Sequence, residues 1–450
     1  MSLEIYNTLT KKKEKFTPIK KDQVHMYVCG PTVNDVPHLG HARVQIVFDS
    51  FRKYLISLGY KVKFVSNITD IEDKIINKAN ELGISINELT NKNIKEHDED
   101  YSALGVLKPD VQPRATEYVK EMVDLVKRLE KAGYTYIVER DGVYFDISKF
   151  KGYGKLSGID LTHLKKSRAL KDESKGQNKK DDKDFVLWKF SKPEEPSWNS
   201  PWGKGRPGWH IECSAMNHKI LGLPLDIHAG GQDLIFPHHE DEIAQAEAGY
   251  GEKFCNYWMH NGMVNIDKIK MSKSLGNFKT IKDLLKDYSG EVIRYFVLST
   301  HYRKPMDFSL KKLDESKTSL EKLRNAAQEI EDNGPINKRY LEEFRKIMNQ
   351  DFNTAGAINL LWILIKDKTA KGKVKTLKEF DKILGFNFFK KNKVVISKEI
   401  KKLLDEREKA RKIKNWKISD DIREKISKKG YSIKDTDEGP VLEKNKKNIN

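Results

Sequence analysis

The chain has 450 residues, 33% of them charged and 38% hydrophobic, with a formal net charge of +18. That length predicts more than one domain around a sizeable core. No apolar run approaches the roughly 18 residues of a membrane span, and MSLEIYNTLTKKKEKF lacks the apolar centre of a secretory signal. Three scattered cysteines, Cys29, Cys213 and Cys255, argue against a disulfide framework and suit a reducing, cytoplasmic setting. The basic excess points to a polyanionic partner, most simply nucleic acid, or to a lysine-rich solvated surface.

HMYVCG (25–30) is apolar and β-rich and predicts a buried strand, broken by Gly30, Pro31 and Pro37. HARVQIVFDSFRKYLISLG carries a helical repeat through Val44, Phe48, Phe51 and Leu55 and closes at Gly59. KVKFVSNIT predicts the next strand. Strand, helix and strand in succession imply an α/β fold with a parallel sheet, whose ligands bind beyond the carboxyl ends of the strands. A helix is expected over 115–135 and a hairpin over 135–147 turning at Asp141–Gly142. DESKGQNKKDDKD (172–184) is low in apolar residues and predicts a mobile loop, after which DFVLWKF resumes order.

From about 310 the pattern is helical. LEKLRNAAQEI and LEEFRKIMNQ have the right spacing, and the apolar DFNTAGAINLLWILIKD predicts the core helix of a bundle. SKEIKKLLDEREKARKIKN and ISDDIREKISKKG form a last helical unit. Its second helix is expected to carry Ile418, Ile422 and Ile426 on one face and to end at Gly430. VLEKNKKNIN is expected to be frayed.

Two motifs carry chemistry. His38-Leu39-Gly40-His41 follows a strand and a turn and opens a helix. A helix N-terminus suits a phosphate, histidines there can donate to charge developing on it, and Gly40 leaves room for a flat ring against the backbone. Lys270-Met-Ser-Lys273-Ser reads as a loop whose two lysines can neutralise a leaving pyrophosphate. Either motif alone fits a solvated surface. Together, in this order, they resemble the signatures of class I aminoacyl-tRNA synthetases, with Leu39 where isoleucine is usual.

The resemblance narrows to the cysteinyl-tRNA synthetase family through MYVCGPTVNDVPHLGHAR, SNITDIEDKI, YGKLSG, GRPGWHIECSAM, DIHAGGQDLIFPHHEDEIAQ, HNGMV, KMSKSLGN and KARKIKNWKISDDIR. These run from residue 26 to about 423. The resemblance implies one zinc held by Cys29, Cys213, His238 and Glu242. The i,i+4 spacing of His238 and Glu242 supports a shared helix face, with His239 pointing off it and Cys255 an inert buried thiol.

It further implies ATP contacts from His38, Gly40, His41, Lys270 and Lys273, with Mg²⁺ accompanying ATP. His38, His41 and Lys273 are the implied catalytic groups. Thr69 and Asp233 would hold the amino acid's polar groups, and Trp209 and His228 would line its pocket. Each of these four also fits a purely structural place, as a cap, core ring or satisfied imidazole.

The implied substrates are L-cysteine, ATP and tRNA(Cys), and the chain is expected to be a cytoplasmic monomer. A ligase joining activated cysteine to a small amine is the alternative. Against it stands a basic C-terminal unit, in which residues 401–450 hold 16 Lys/Arg against 10 Asp/Glu. Arg407, Arg411 and Trp416 there put cations beside an aromatic, as RNA bases require, although Trp416 fits a helix core equally. The end departs from the family, reading DTDEGPVLEK where relatives often carry a Gly-Thr-Thr-Trp-like stretch.

The expected fold is α/β. A Rossmann-like catalytic domain (1–110 and 196–262) is interrupted by a connective insertion (111–195). A stem-contact region with the KMSKS loop (263–310), a helical bundle (311–395), an anticodon-binding unit (396–441) and a tail (442–450) follow.

Overall fold

The computed structural model describes residues 2–159, 178–193, 195–266, 269–270, 279–331, 334–390, 398–436 and 439–444. The chain divides into two compact units, Met1–Phe388 and Phe389–Asn450.

The first unit is built on four parallel strands. β1 (Gln23–Val28), β2 (Lys61–Ser66), β3 (Leu225–Gly231) and β4 (Cys255–Asn261) lie in the spatial order β4-β3-β1-β2. The carboxyl halves of β1 and β2, residues 26–28 and 64–66, are buried, as a parallel sheet covered on both faces requires. β3 is buried at all seven positions. Three crossover elements matter for function. α1 (Leu39–Ser57) leads from β1 to β2, α2 (Trp209–Leu221) precedes β3, and α3 (Glu240–Tyr250) leads from β3 to β4. Chain order reverses between β1 and β3, so a crevice opens at their carboxyl ends.

Close approach shapes that end of the sheet. A Cβ on Gly30 would lie 1.6 Å from the Asn67 carbonyl oxygen, so only glycine lets the loop after β1 press against the end of β2. α1 buries Leu39, Ala42, Ile46, Phe48, Phe51 and Leu55 on its inner face. Each large side chain so buried contributes about 1.5–3 kcal/mol before ordering costs. The helix also buries Arg43 and Asp49. Arg43 donates to the backbone carbonyls of Met263, Tyr302 and Lys304. Asp49 accepts from the buried Arg294 at 2.6 Å. These contacts tie the helix that bears the histidine motif to the segments flanking the KMSKS region.

Between β2 and β3 an antiparallel sheet is inserted, formed by Thr135–Val138, Gly142–Phe145, Phe185–Phe190 and Gly205–Pro207 in that spatial order. The expected hairpin is present, but its turn is residues 139–141, and Gly142, expected in the turn, already pairs with Val138 in the returning strand; the insertion's last strand lies beyond residue 195. Helix Val119–Lys131 occupies the segment read as 115–135. Of the loop expected over 172–184, residues 172–177 lie outside the described residues. From Asn178 onward the chain folds onto Asp184, which accepts from Ile147 N and Tyr136 Oη.

After β4, Val264–Ile266 pairs with Met306–Phe308 and Ile269–Lys270. Helices Leu310–Gln328, Lys338–Met348, Thr354–Lys366 and Lys373–Leu384 then pack as a bundle, with Phe344 and Phe380 stacked at 4.1 Å. Thr354–Lys366 buries Ile358, Leu360, Leu361 and Leu364, as its composition predicts.

The second unit pairs helices Lys398–Lys412 and Trp416–Lys428 with a hairpin, Tyr431–Thr436 and Gly439–Lys444. The expectation of a frayed end is corrected for residues 441–444, which form a strand. Leu442 packs with Ile400, Ile422, Ile426 and Ile433. Ile418, expected beside Ile422 and Ile426, is 48% exposed because it lies in the helix's first turn, away from that core.

Candidate active site and metal centre

Cys29 directly follows β1 and is fixed by its N–H to Ala229 O of β3 at 2.9 Å. It therefore stands at the switch point. Cys213 comes from α2, while His238 and Glu242 come from the entry to α3. Their ligand atoms lie within 4.8 Å of one another, and all four residues are buried. The sulfurs are 3.8 Å apart. Zn–S bonds of about 2.3 Å at tetrahedral angles would set two thiolates roughly 3.8 Å apart. Cys29 Sγ is 3.8 Å from His238 Nε2 and 3.4 Å from Glu242 Oε1. His238 and Glu242 approach to 2.8 Å. Donor types and spacing fit a four-coordinate metal.

A second set shares Cys29 and Glu242 and adds His228 and His239. Both imidazoles place Nε2 3.3 Å from Cys29 Sγ. The expectation that His239 points off the shared face is thereby corrected. That expectation considered only which side chains share a helix face. Cys29 comes within reach of both histidines, 3.8 Å from His238 Nε2 and 3.3 Å from His239 Nε2. A chain of contacts continues outward: His239 Nδ1 to His260 Nε2 at 2.8 Å, and His260 Nδ1 to Thr8 Oγ1 at 2.8 Å. On the other side His238 Nδ1 meets His210 Nδ1 at 2.9 Å. His260 and His210 were not singled out from the sequence, and His239 was set aside there as pointing away. The doubled His-His and the Trp-His-x-Glu-Cys stretch were the available signals.

Burial and charge act together on this cluster. Burial, reinforced by Cys213, pushes the Cys29 thiol well up. Burial also raises Cys213, but the Cys29 hydrogen bond and His238 outweigh it and bring its thiol to about 7. For Glu242, burial is overcome by His228 and His238, which hold the carboxyl well below its usual range. Burial lowers His239 far below the ordinary imidazole value and His260 to about 3.

Of the remaining pocket candidates, Trp209 and His228 touch the cluster. Half-buried Trp209 stacks on His238 with centroids 4.5 Å apart. His228 is fully buried and lies 3.0 Å from Glu242 Oε2, so it contacts the cluster directly. Thr69, beyond β2, is buried and donates to Glu212 Oε2 at 2.6 Å. Asp233 is exposed in the turn beyond β3.

At the other wall His38 caps α1. Its Nδ1 accepts from Gly40 N at 3.0 Å, while His41 Nδ1 accepts from His38 N at 3.3 Å. The rings stack at 3.8 Å. With Nδ1 accepting, each neutral ring carries its proton on Nε2 and presents a donor there. Leu39 N donates to Lys279 O and Ile281 N to Pro37 O, both at 3.1 Å. The chain leaving the KMSKS motif is thus held beside the histidines. Lys273 lies outside the described residues, as does the side chain of Lys270, whose backbone pairs with Asn265.

In the second unit, Arg407 is 1% exposed and forks onto both oxygens of Asp435 at 2.9 Å. Its guanidinium is turned into the unit and away from solvent. Arg411 lies 5.9 Å from the ring of Trp416, which is 56% exposed and outside the unit's core. Among the described residues no helix is long and apolar enough to cross a membrane.

A parallel sheet with its crevice at the switch point, walled by histidines at a helix N-terminus, defines a nucleotide-binding α/β catalytic domain. Residues 15–318 match the family described as "tRNA synthetases class I (C) catalytic domain", and the chain belongs to that family, which includes the cysteine enzymes. Two structures of Mycobacterium tuberculosis methionyl-tRNA synthetase bound to methionyl-adenylate share the fold at a TM-score of 0.57 and 16% identity. The alignments cover 81% of this chain and 90% of that one, and 82% and 88%.

Proposed function

We propose that this chain activates L-cysteine with ATP and transfers it to tRNA(Cys). The observation that carries the reading is the buried meeting of Cys29, Cys213, His238 and Glu242 beyond the carboxyl end of β1. Cysteine and serine are nearly isosteric, and shape alone separates such a pair only about 10²-fold. Zinc held by these four residues would take the substrate's thiolate as a further ligand, which a hydroxyl replaces poorly and an aliphatic side chain not at all.

The chain's own groups then do the rest. Thr69 and Asp233 hold the amino acid's polar groups, with Trp209 and His228 closing the pocket. The substrate carboxylate attacks the α-phosphorus, the bond to the bridging oxygen breaks, and pyrophosphate leaves. His38 and His41 donate Nε2–H to the α-phosphate oxygens as their charge grows, across the backbone left open by Gly40. Lys270 and Lys273 neutralise pyrophosphate, together with the Mg²⁺ that accompanies ATP. In the second step a hydroxyl of the tRNA's terminal ribose attacks the acyl carbon, and AMP leaves.

The basic second unit would meet the anticodon through Arg411 and the exposed Trp416. Arg407 braces that surface from inside through Asp435. Charging of unfractionated tRNA with labelled cysteine tests the proposal. Aminoacylation is expected. Adenylate formation without any charged tRNA would contradict it and favour transfer to a small amine.

A further inference from the structure

The segment from Pro31 to Pro37 joins the two halves of the site, with Cys29 of the metal centre before it and His38 of the histidine wall after it. Every second carbonyl of this segment is captured from outside it. Pro31 O accepts from Thr69 N and Pro37 O from Ile281 N, both at 3.1 Å. Between them, Val33 O accepts from Asn93 Nδ2 at 2.8 Å and Asp35 O from His97 Nε2 at 3.1 Å. A carbonyl oxygen has no proton to give, so His97 Nε2 is the donor whatever the charge of the ring.

Capture of alternate groups is how a strand meets a neighbour, but here the two middle partners are side chains. Asn93 and His97 lie four residues apart on helix Ile86–Ala103 and are 4% and 1% exposed. Four helical residues rise about 6 Å and two strand residues about 6.6 Å, so an i,i+4 pair keeps step with carbonyls two residues apart. Tyr101 Oη stands 3.1 Å from His97 Nδ1 and holds the ring's orientation. The His97 ring in turn lies 5.8 Å from that of His41, centroid to centroid.

We infer that Asn93 and His97 are positioning residues that take the place of a neighbouring strand and fix the span between the metal centre and the histidine wall. Activation joins the carboxylate of an amino acid anchored at the first to an α-phosphate held at the second. The span therefore sets how the reacting atoms align. The inference rests on the proposed amino-acid-activating function.

The test uses full-length, zinc-loaded enzyme. It reads cysteine-dependent ATP–pyrophosphate exchange, affinity for a non-hydrolysable cysteinyl-adenylate analogue that bridges both halves, and zinc per chain. His97→Phe keeps a ring and removes the donor. It is expected to lower kcat and weaken the analogue about 10–100-fold, the cost of a misplacement on the order of 1 Å. KM for cysteine stays within about threefold, because the metal centre itself is untouched, and zinc content is unchanged. Asn93→Leu removes the other side-chain donor at similar volume and is expected to give the same pattern. His97→Gln carries an amide N–H to the place of Nε2 and stays within about threefold of the parent on every reading. His97→Asn is one methylene shorter, fails to reach Asp35, and behaves like the Phe variant.

Should His97→Phe fail to fold, the contrast between His97→Gln and His97→Asn carries the test. Parental kcat and analogue affinity in a folded Phe or Leu variant, equal losses in the Gln and Asn variants, or zinc loss in step with kcat would overturn the inference. A parent enzyme that exchanges pyrophosphate with no cysteine dependence would instead overturn the functional reading itself.

Discussion

Cys29→Ser should remove zinc while leaving the fold in place. Cys29 Sγ is the hub of the centre, within 3.4–3.8 Å of a ligand atom on each of Cys213, His238 and Glu242. It also takes the approach of two further imidazoles at 3.3 Å. Binding of structural zinc is worth about 10–16 kcal/mol over four ligands, so one thiolate carries about 3–4 kcal/mol. A serine hydroxyl stays protonated near neutral pH and recovers little of that. The variant is expected to bind zinc roughly 10²–10³-fold more weakly.

The assay is zinc per chain after dialysis against a competing chelator, paired with cobalt substitution, in which sulfur-to-cobalt absorption should fall by about half. Cysteine activation should vanish while ATP binding survives. Cys255→Ser is the control. That thiol is buried against the carbonyls of Asp226 and Tyr257, and its loss should leave zinc in place. Parental zinc affinity in Cys29→Ser would refute the ligand assignment.

Zinc affinity should also fall as pH drops through about 7, because protons compete for the Cys213 thiolate and the His238 imidazole. Competition titrations at pH 8, 7 and 6 check the sign, and a flat profile would contradict it. Lys273→Ala should slow adenylate formation with little change in cysteine affinity, read from single-turnover exchange, since its charge matters most as pyrophosphate develops. Deleting residues 389–450 should leave exchange largely intact, because the first unit is compact without them. The deletion should raise KM for tRNA steeply, and charging kinetics across a salt series provide the readout. Trp416→Ala should raise the same KM without loss of thermal stability, because the ring is 56% exposed.

What the sequence disclosed depended on the range of the physics. β1, α1 and β2 were legible because burial imposes local periodicity on HMYVCG, HARVQIVFDSFRKYLISLG and KVKFVSNIT. The joining of Cys29 to Cys213, 184 residues away, was not a matter of periodicity. Only motif resemblance could suggest it. His239 was misplaced because i,i+4 spacing tells which side chains share a helix face and not what a strand from elsewhere brings beside it: Cys29, after β1, lies 3.3 Å from His239 Nε2. Arg407 was read as a cation offered to RNA because its partner, Asp435, lies 28 residues on, in a hairpin strand that the polar sequence concealed. Glu212 carried no signal beyond its place beside Cys213, since a buried carboxylate is not a pattern that composition can reveal.

Amino-acid-dependent ATP–pyrophosphate exchange across cysteine, serine, methionine and alanine tests the central claim most directly. The account predicts exchange with cysteine that exceeds serine by well over the ~10² that shape alone allows, and that is lost when zinc is removed and regained when it is restored. Exchange with methionine or serine at rates comparable to cysteine, or cysteine selectivity that survives full removal of the metal, would contradict it.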